Sequence, residues 1–174
     1  MNGLARLLGA GLLPADLGTT SILGRIDEMI RATRSITARD GSLSEAFPNE
    51  KSFCVTALVA FDILCAAEHL ESVAKPSQLA AWRDTAAPLI EFIIKNDETH
   101  AIISNHLATG IAALMRWTGA GAAEAQARAK NLLGIILDNQ SSDGWYSEYG
   151  SADPGYETLG LYYLADVQDR KSVV

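Results

Sequence analysis

The sequence predicts an all-α chain arranged as an incomplete α/α toroid of about three helical-hairpin repeats. Three observations lead there. No segment alternates apolar and polar residues over the length of a strand. Helices that are apolar nearly all round alternate with amphipathic ones, the pattern of an inner layer buried on most sides and an outer layer facing water. The apolar helices begin near residues 51, 104 and 155, a period of about 50 residues that falls within the range of helical repeat arrays. A single hairpin cannot bury its apolar face alone, so the units must stack. Three hairpins are half of a usual ring. The chain therefore forms an open arc, closes tightly, or pairs with another copy or another protein.

The elements follow in order. The N-terminal stretch forms a short first helix, stopped around Gly9 to Pro14. Thr19 or Thr20 caps a helix over 21–36, with Ile22, Ile26, Met29, Ile30 and Thr33 at helical spacing. A loop over 38–50 carries the Asp40-Gly41 turn signal and Pro48. The stretch 51–70 has Asp62 as its one charge between Ser52 and Ala67, and reads as an inner helix. Residues 78–95 form an amphipathic helix that Pro88 kinks or divides. Ser104 opens a second inner helix to about residue 118, closed by Gly119 and Gly121. An amphipathic helix over 122–139 leads into a long loop, and Asp153 and Pro154 suit the N-cap and first position of a third inner helix over 154–169. The tail from Arg170 should fray.

Bulk properties bound the function. At 174 residues the chain is one domain, residues 1–174, able to bury a core. Hydrophobic content of 48% with 20% charged residues is globular composition. A net charge of −7 and a pI near 4.9 argue against a nucleic-acid or membrane-surface partner. Cys54 and Cys65 lie on one predicted helix roughly 16 Å apart at the helical rise, too far for a disulfide. Buried thiols fit a reducing, cytoplasmic setting. No apolar run reaches membrane-spanning length.

The three joins between outer and inner helices are where chemistry gathers. The last, from Asn139 to Leu164, holds Trp145, Tyr146, Glu148, Tyr149, Asp153 and Tyr156. Gln140-Ser141-Ser142-Asp143-Gly144-Trp145 resembles the Q-x(2–5)-G-x-W signature of the terpene cyclase and protein prenyltransferase toroids, lacking the residue between Gly and Trp. Asp40-Gly41-Ser42-Leu43 looks like a degraded second copy. The resemblance implies the toroid fold, with Trp145 sealing the last join. Polysaccharide lyases and hydrolases share that architecture, and Asn105-His106 with a nearby tyrosine is similar to the lyases. There an Asn and a His neutralise a uronate carboxylate and a Tyr or His moves the proton from the sugar. The cyclase acid Asp-x-Asp-Asp and the prenyltransferase zinc set are absent, as are a phosphate loop and any standard metal spacing, so no cofactor and no metal is expected.

Repeats superpose, so equivalent positions should converge on one rim. The candidates there are His106, Tyr156 and Glu50 for catalysis, and Asn49, Asn105, Tyr149, Asp153 and Trp145 for substrate binding. Each also has a structural role open to it: Asn49, Ser104 and Asp153 are N-cap types, Glu50 suits a helix dipole, His106 a core hydrogen bond, and Trp145 a corner plug. Two functional classes follow. One is a carbohydrate-directed domain, either a lyase- or hydrolase-like enzyme or a glycan-binding relative. The other is an interaction module whose open inner face is covered by a homo-oligomer or protein partner. A terpenoid ligand rests on fold analogy alone.

Overall fold

The computed structural model describes residues 1–169; the tail expected to fray lies outside the described residues. It contains α1 (Asn2–Gly9), α2 (Thr19–Ile36), α3 (Phe53–His69), α4 (Pro76–Lys95), α5 (Ser104–Arg116), α6 (Ala122–Asp138) and α7 (Pro154–Asp169). Among the described residues there is no strand, only three isolated bridges between loop residues. The chain is all-α.

Helices α1, α3, α5 and α7 pack against one another in chain order, and α2, α4 and α6 do the same in a second row. Each first-row helix up to α5 also packs on the helix that follows it. Sequence explains the division. In α3, Ala57, Ala60, Phe61, Ile63, Leu64, Ala66 and Ala67 cover most of the helix circumference and all are buried, while Val55, Leu58 and Val59 on the remaining side are half-buried. Every residue of α5 from Leu107 to Leu114 is buried. Such helices can be satisfied only by neighbours on most sides. The second row buries single stripes: Ile22, Ile26, Ile30 and Thr33 in α2, and Ala125, Ala129, Leu132 and Ile136 in α6. Helix α4 runs unbroken through Pro88, and its Trp82 indole donates to Asp27 of α2 at 2.9 Å.

The first row closes on itself at its C-terminal end. The Tyr163 ring of α7 meets Phe61 of α3 edge-on at 5.1 Å. The Arg116 guanidinium of α5 lies 4.5 Å from the same Phe61 ring. Arg116 also pairs with Asp166 of α7 and Glu68 of α3, and Arg6 of α1 reaches Asp166 at 4.0 Å. Side chains of α3, α5 and α7 therefore meet at this end of the row.

Several expectations change. Helix α7, expected inside like α3 and α5, buries Gly160, Tyr163 and Val167 but exposes Leu159, Leu161 and Tyr162. It packs on α5 along one face and has no second-row neighbour among the described residues. At Gly160 that face lies against the start of α5, where a Cβ would stand in ordinary contact, 3.4 Å from the Asn105 Cα. The α2 cap is Gly18, not Thr19 or Thr20, and Ser52 caps α3 by accepting from the Val55 N–H at 3.2 Å. Both cysteines are free thiols; burial pushes Cys54 up to about 12 and Cys65 up to about 11, so both are neutral at pH 7.

The loop over 38–50 is pinned to α4 by Gly41. Its φ is +86°, and a Cβ there would fall 2.0 Å from the Pro88 carbonyl oxygen. Gly41→Ala should lower unfolding free energy by at least about 2 kcal/mol, from left-handed strain and a forced shift of the loop. Chemical denaturation checks this, and an unchanged midpoint would contradict it.

Candidate functional site at the inner-helix N-termini

Helices α3, α5 and α7 begin at the end of the first row opposite the Arg116 cluster, and two loops bind them there. Helix α5 has Ile103 at its N-cap and no capping side chain of its own. Its cap comes from the long loop. The Asn105 N–H donates to Glu148 Oε1 at 2.9 Å, and Asn105 Nδ2 donates to Oε2 at 2.7 Å. The Ser104 N–H and hydroxyl both donate to the Ser147 carbonyl, at 3.0 and 2.8 Å. Glu148 is 1% exposed. Burial pushes its carboxyl above the ordinary carboxylate range, and the Asn105 bonds and the His106 charge oppose that push. A carboxylate over first-turn N–H groups is where a helix best tolerates buried negative charge.

The second organiser is Glu98, in the loop between α4 and α5. Its side chain is 3% exposed. One oxygen accepts from His106 Nδ1 at 2.7 Å, and the other accepts from His100 Nδ1 at 2.7 Å and the His100 N–H at 3.0 Å. Burial opposes ionisation, but the bonds from His106 and His100 outweigh it and hold the carboxyl at about 2. Because Glu98 is ionised and can only accept, the His106 proton sits on Nδ1. That leaves Nε2 as the nitrogen able to take up a proton. The Glu98 hydrogen bond and charge raise His100 above its ordinary value.

Two exposed tyrosines complete the rim. The rings of Tyr149 and Tyr156 lie 6.2 Å apart, tilted by 51°. Tyr149 is pushed up by burial and by the nearby carboxyls of Glu98 and Glu148, which keeps it a neutral phenol. The Cys54 thiol in turn feels Glu45 and Glu98. Residues from α3, from the loop before α5 and from the loop before α7 therefore share one electrostatic neighbourhood.

The remaining candidates are dispersed among structural tasks. Asp153 caps α7 as expected, accepting from the Gly155 and Tyr156 N–H groups at 2.9 Å. Glu50 Oε2 accepts from the N–H groups of Glu45 and Ala46 at 2.9 and 2.8 Å, which lowers its pKa. Asn49 is exposed with φ 64°, a turn residue beside that loop. Asn105 is buried and committed to Glu148. Gln140 locks the last turn, donating from Nε2 to the Gly144 carbonyl at 2.7 Å, but Trp145 is only half-buried and Tyr146 packs on the core in its place. Ser147 and Glu148, rather than the Trp145 ring, close the join.

Negative groups dominate the rim: Glu45, Glu50, Glu98, Glu148 and Asp153. The nearest lysine, Lys51, is held by Asp40 at 2.8 Å, and Arg116 sits at the far end of α5. Among the described residues no group of three or more His, Cys, Asp or Glu side chains is arranged to hold a metal ion. Glu98, His100 and Glu45 were not among the sequence candidates. The one sequence signal for Glu98 is an acid just before the helix that carries His106. The chain matches no protein-family model, no curated protein and no solved structure.

Two outcomes follow. Removing the carboxylate in Glu148→Ala leaves the Asn105 donors buried without an acceptor and should cost about 2–3 kcal/mol. Loss of protection of the first α5 amides in hydrogen exchange would locate the effect, and an unchanged stability would contradict it. The second concerns pH. Glu98 ionises at about 2 in the folded chain against an ordinary 4.5, so its stabilisation is complete above 4.5 and lost as pH falls towards 2. His100 is raised above 6.5, so its stabilisation is present below 6.5 and lost as pH rises through the folded value. Thermal melts of Glu98→Gln should therefore show a lower Tm near pH 5.5 and a shallower decline below pH 4.5 than the parent chain. Parallel curves would contradict the assignment.

Proposed function

We propose that the two helical rows are a short α/α toroid and that the rim of α3, α5 and α7 is a carbohydrate site, suited to neutral glycans. The observation that carries this reading is the buried Glu98 carboxylate holding Nδ1 of His106, close to the exposed Tyr149 and Tyr156 rings. Paired aromatic faces on a polar rim suit the apolar face of a sugar, and a histidine oriented by a carboxylate suits its hydroxyls. The same pair supplies a general base at Nε2, and the neutral Tyr149 phenol a proton donor.

Electrostatics choose within the carbohydrate class. Uronate elimination needs the substrate carboxylate neutralised before its α-proton becomes acidic. Asn105 is spent on Glu148, Lys51 on Asp40, and the rim is negative. That supports a neutral glycan over a uronate. A second reading, the interaction module, draws support from a different place, the uncovered face of α7.

Calorimetric titration with neutral and uronic-acid oligosaccharides of equal length tests the proposal. Neutral chains should bind, and Tyr156→Ala should weaken binding about tenfold, the scale of one lost stacking contact. His106→Gln should weaken binding and abolish any release of reducing ends while leaving the fold intact. Tighter binding of the uronate series, or of neither, would overturn the reading.

A further inference from the structure

We infer that the cavity between α6 and the loop over 97–102 is an apolar subsite for an uncharged hydrocarbon substituent of the sugar held at the rim. The inference rests on the rim reading for the sugar, and on separate geometry for the cavity. The cavity has a volume of about 290 Å³ and is walled by Ala101, Ile102, Leu107, Leu132 and Ile135. Two observations join it to the rim. Glu98, whose carboxylate accepts from His106 Nδ1 at 2.7 Å, stands in the cavity wall, and Leu107 follows His106 in α5. The antiparallel bridge between Ile103 and Glu148 sets the register of the two loops and puts Ile102 opposite Tyr149. Ile103 and Glu148 are turned inward, 0% and 1% exposed, so their neighbours Ile102 and Tyr149 are turned outward, 39% and 58% exposed. Tyr156, Tyr149 and Ile102 therefore lead from the aromatic pair to the mouth of the cavity.

The lining selects the occupant. Among the described residues no lysine or arginine lines the cavity. Its two acids already have partners: Asp97 accepts from Arg128 at 2.5 Å, and Glu98 holds both histidines. A charged group entering here would lose its water and meet no free partner. Water itself finds few partners against five apolar side chains, so a hydrocarbon that displaces it gains the free energy of burial. The ligand that suits rim and cavity together is a neutral sugar carrying an alkyl or aryl group.

Chain length gives the test. Calorimetric titration with methyl, butyl and hexyl β-glucosides should show affinity rising roughly two- to fourfold per added methylene. The methyl resonances of Ile102 and Ile135 should move with the hexyl glucoside and stay in place with the methyl one. Ala101→Phe fills the cavity and Ile102→Asp puts a charge on its wall. Each should bind the methyl and hexyl glucosides alike, with the parent's affinity for the methyl glucoside. Ile102 is exposed and Ala101 is half-buried in a loop, so far-ultraviolet dichroism and Tm should match the parent. A parent chain that binds the methyl and hexyl glucosides equally would overturn the inference and leave the rim reading standing. A hexyl advantage undiminished in both variants would place the chain elsewhere and overturn it as well. Movement of the Ile102 and Ile135 methyls with 1-hexanol but with neither glucoside would overturn the rim reading, and with it the link between sugar and cavity.

Discussion

The Glu148 carboxylate over the first turn of α5 is the constraint on which the rest of this structure depends. Helix α5 is buried along nearly its whole length between α3, α6 and α7. Its N-terminal donors cannot reach water and have no side-chain cap of their own. An unsatisfied buried N–H costs on the order of 1–3 kcal/mol, so the long loop must deliver an acceptor to that point. Delivering it fixes the path of residues 147 to 153, and that path sets where Tyr149 stands and where α7 starts. The opposite end is held by a second set of charges, Arg116 with Asp166 and Glu68. Between these two ionic fixtures lies apolar packing that specifies little by itself.

This arrangement separates stability from the candidate site. At the C-terminal end α3, α5 and α7 meet through Phe61, Tyr163 and Arg116. The N-terminal end instead keeps polar groups in partial contact with water, and there a buried carboxylate orients His106. Orientation by a neighbouring carboxylate is what distinguishes a histidine poised for proton transfer from one that merely packs. A base, a phenol and an aromatic pair serve binding as well as catalysis.

The fold class was legible because it rests on local pattern. The all-round apolarity of α3 and α5, the single stripes of α2 and α6, and Asp153 before Pro154 each carry their meaning within one turn or two. Helix α7 was misread for the same reason: its composition matches an inner helix, and nothing in its own residues says that a neighbour is missing on one side. The site was half legible. Repeat spacing led to His106, Tyr149 and Tyr156, but Glu98 lies in a loop whose course is set by α4 and α5 together. Asn105 pointed to a ligand by its position, yet its side chain is consumed by a residue 43 positions away. Such pairings are made by tertiary approach and leave no periodic trace.

Glu98 fixes the His106 ring with its proton on Nδ1 and Nε2 open. Long-range proton–nitrogen correlation spectra of ¹⁵N-labelled chain, recorded in alkaline buffer, read the tautomer directly. The account predicts a protonated Nδ1 with a bare Nε2 in the parent chain, and a shift towards the Nε2-protonated form in Glu98→Ala. An Nε2-protonated ring in the parent chain, or a tautomer indifferent to Glu98, would contradict it.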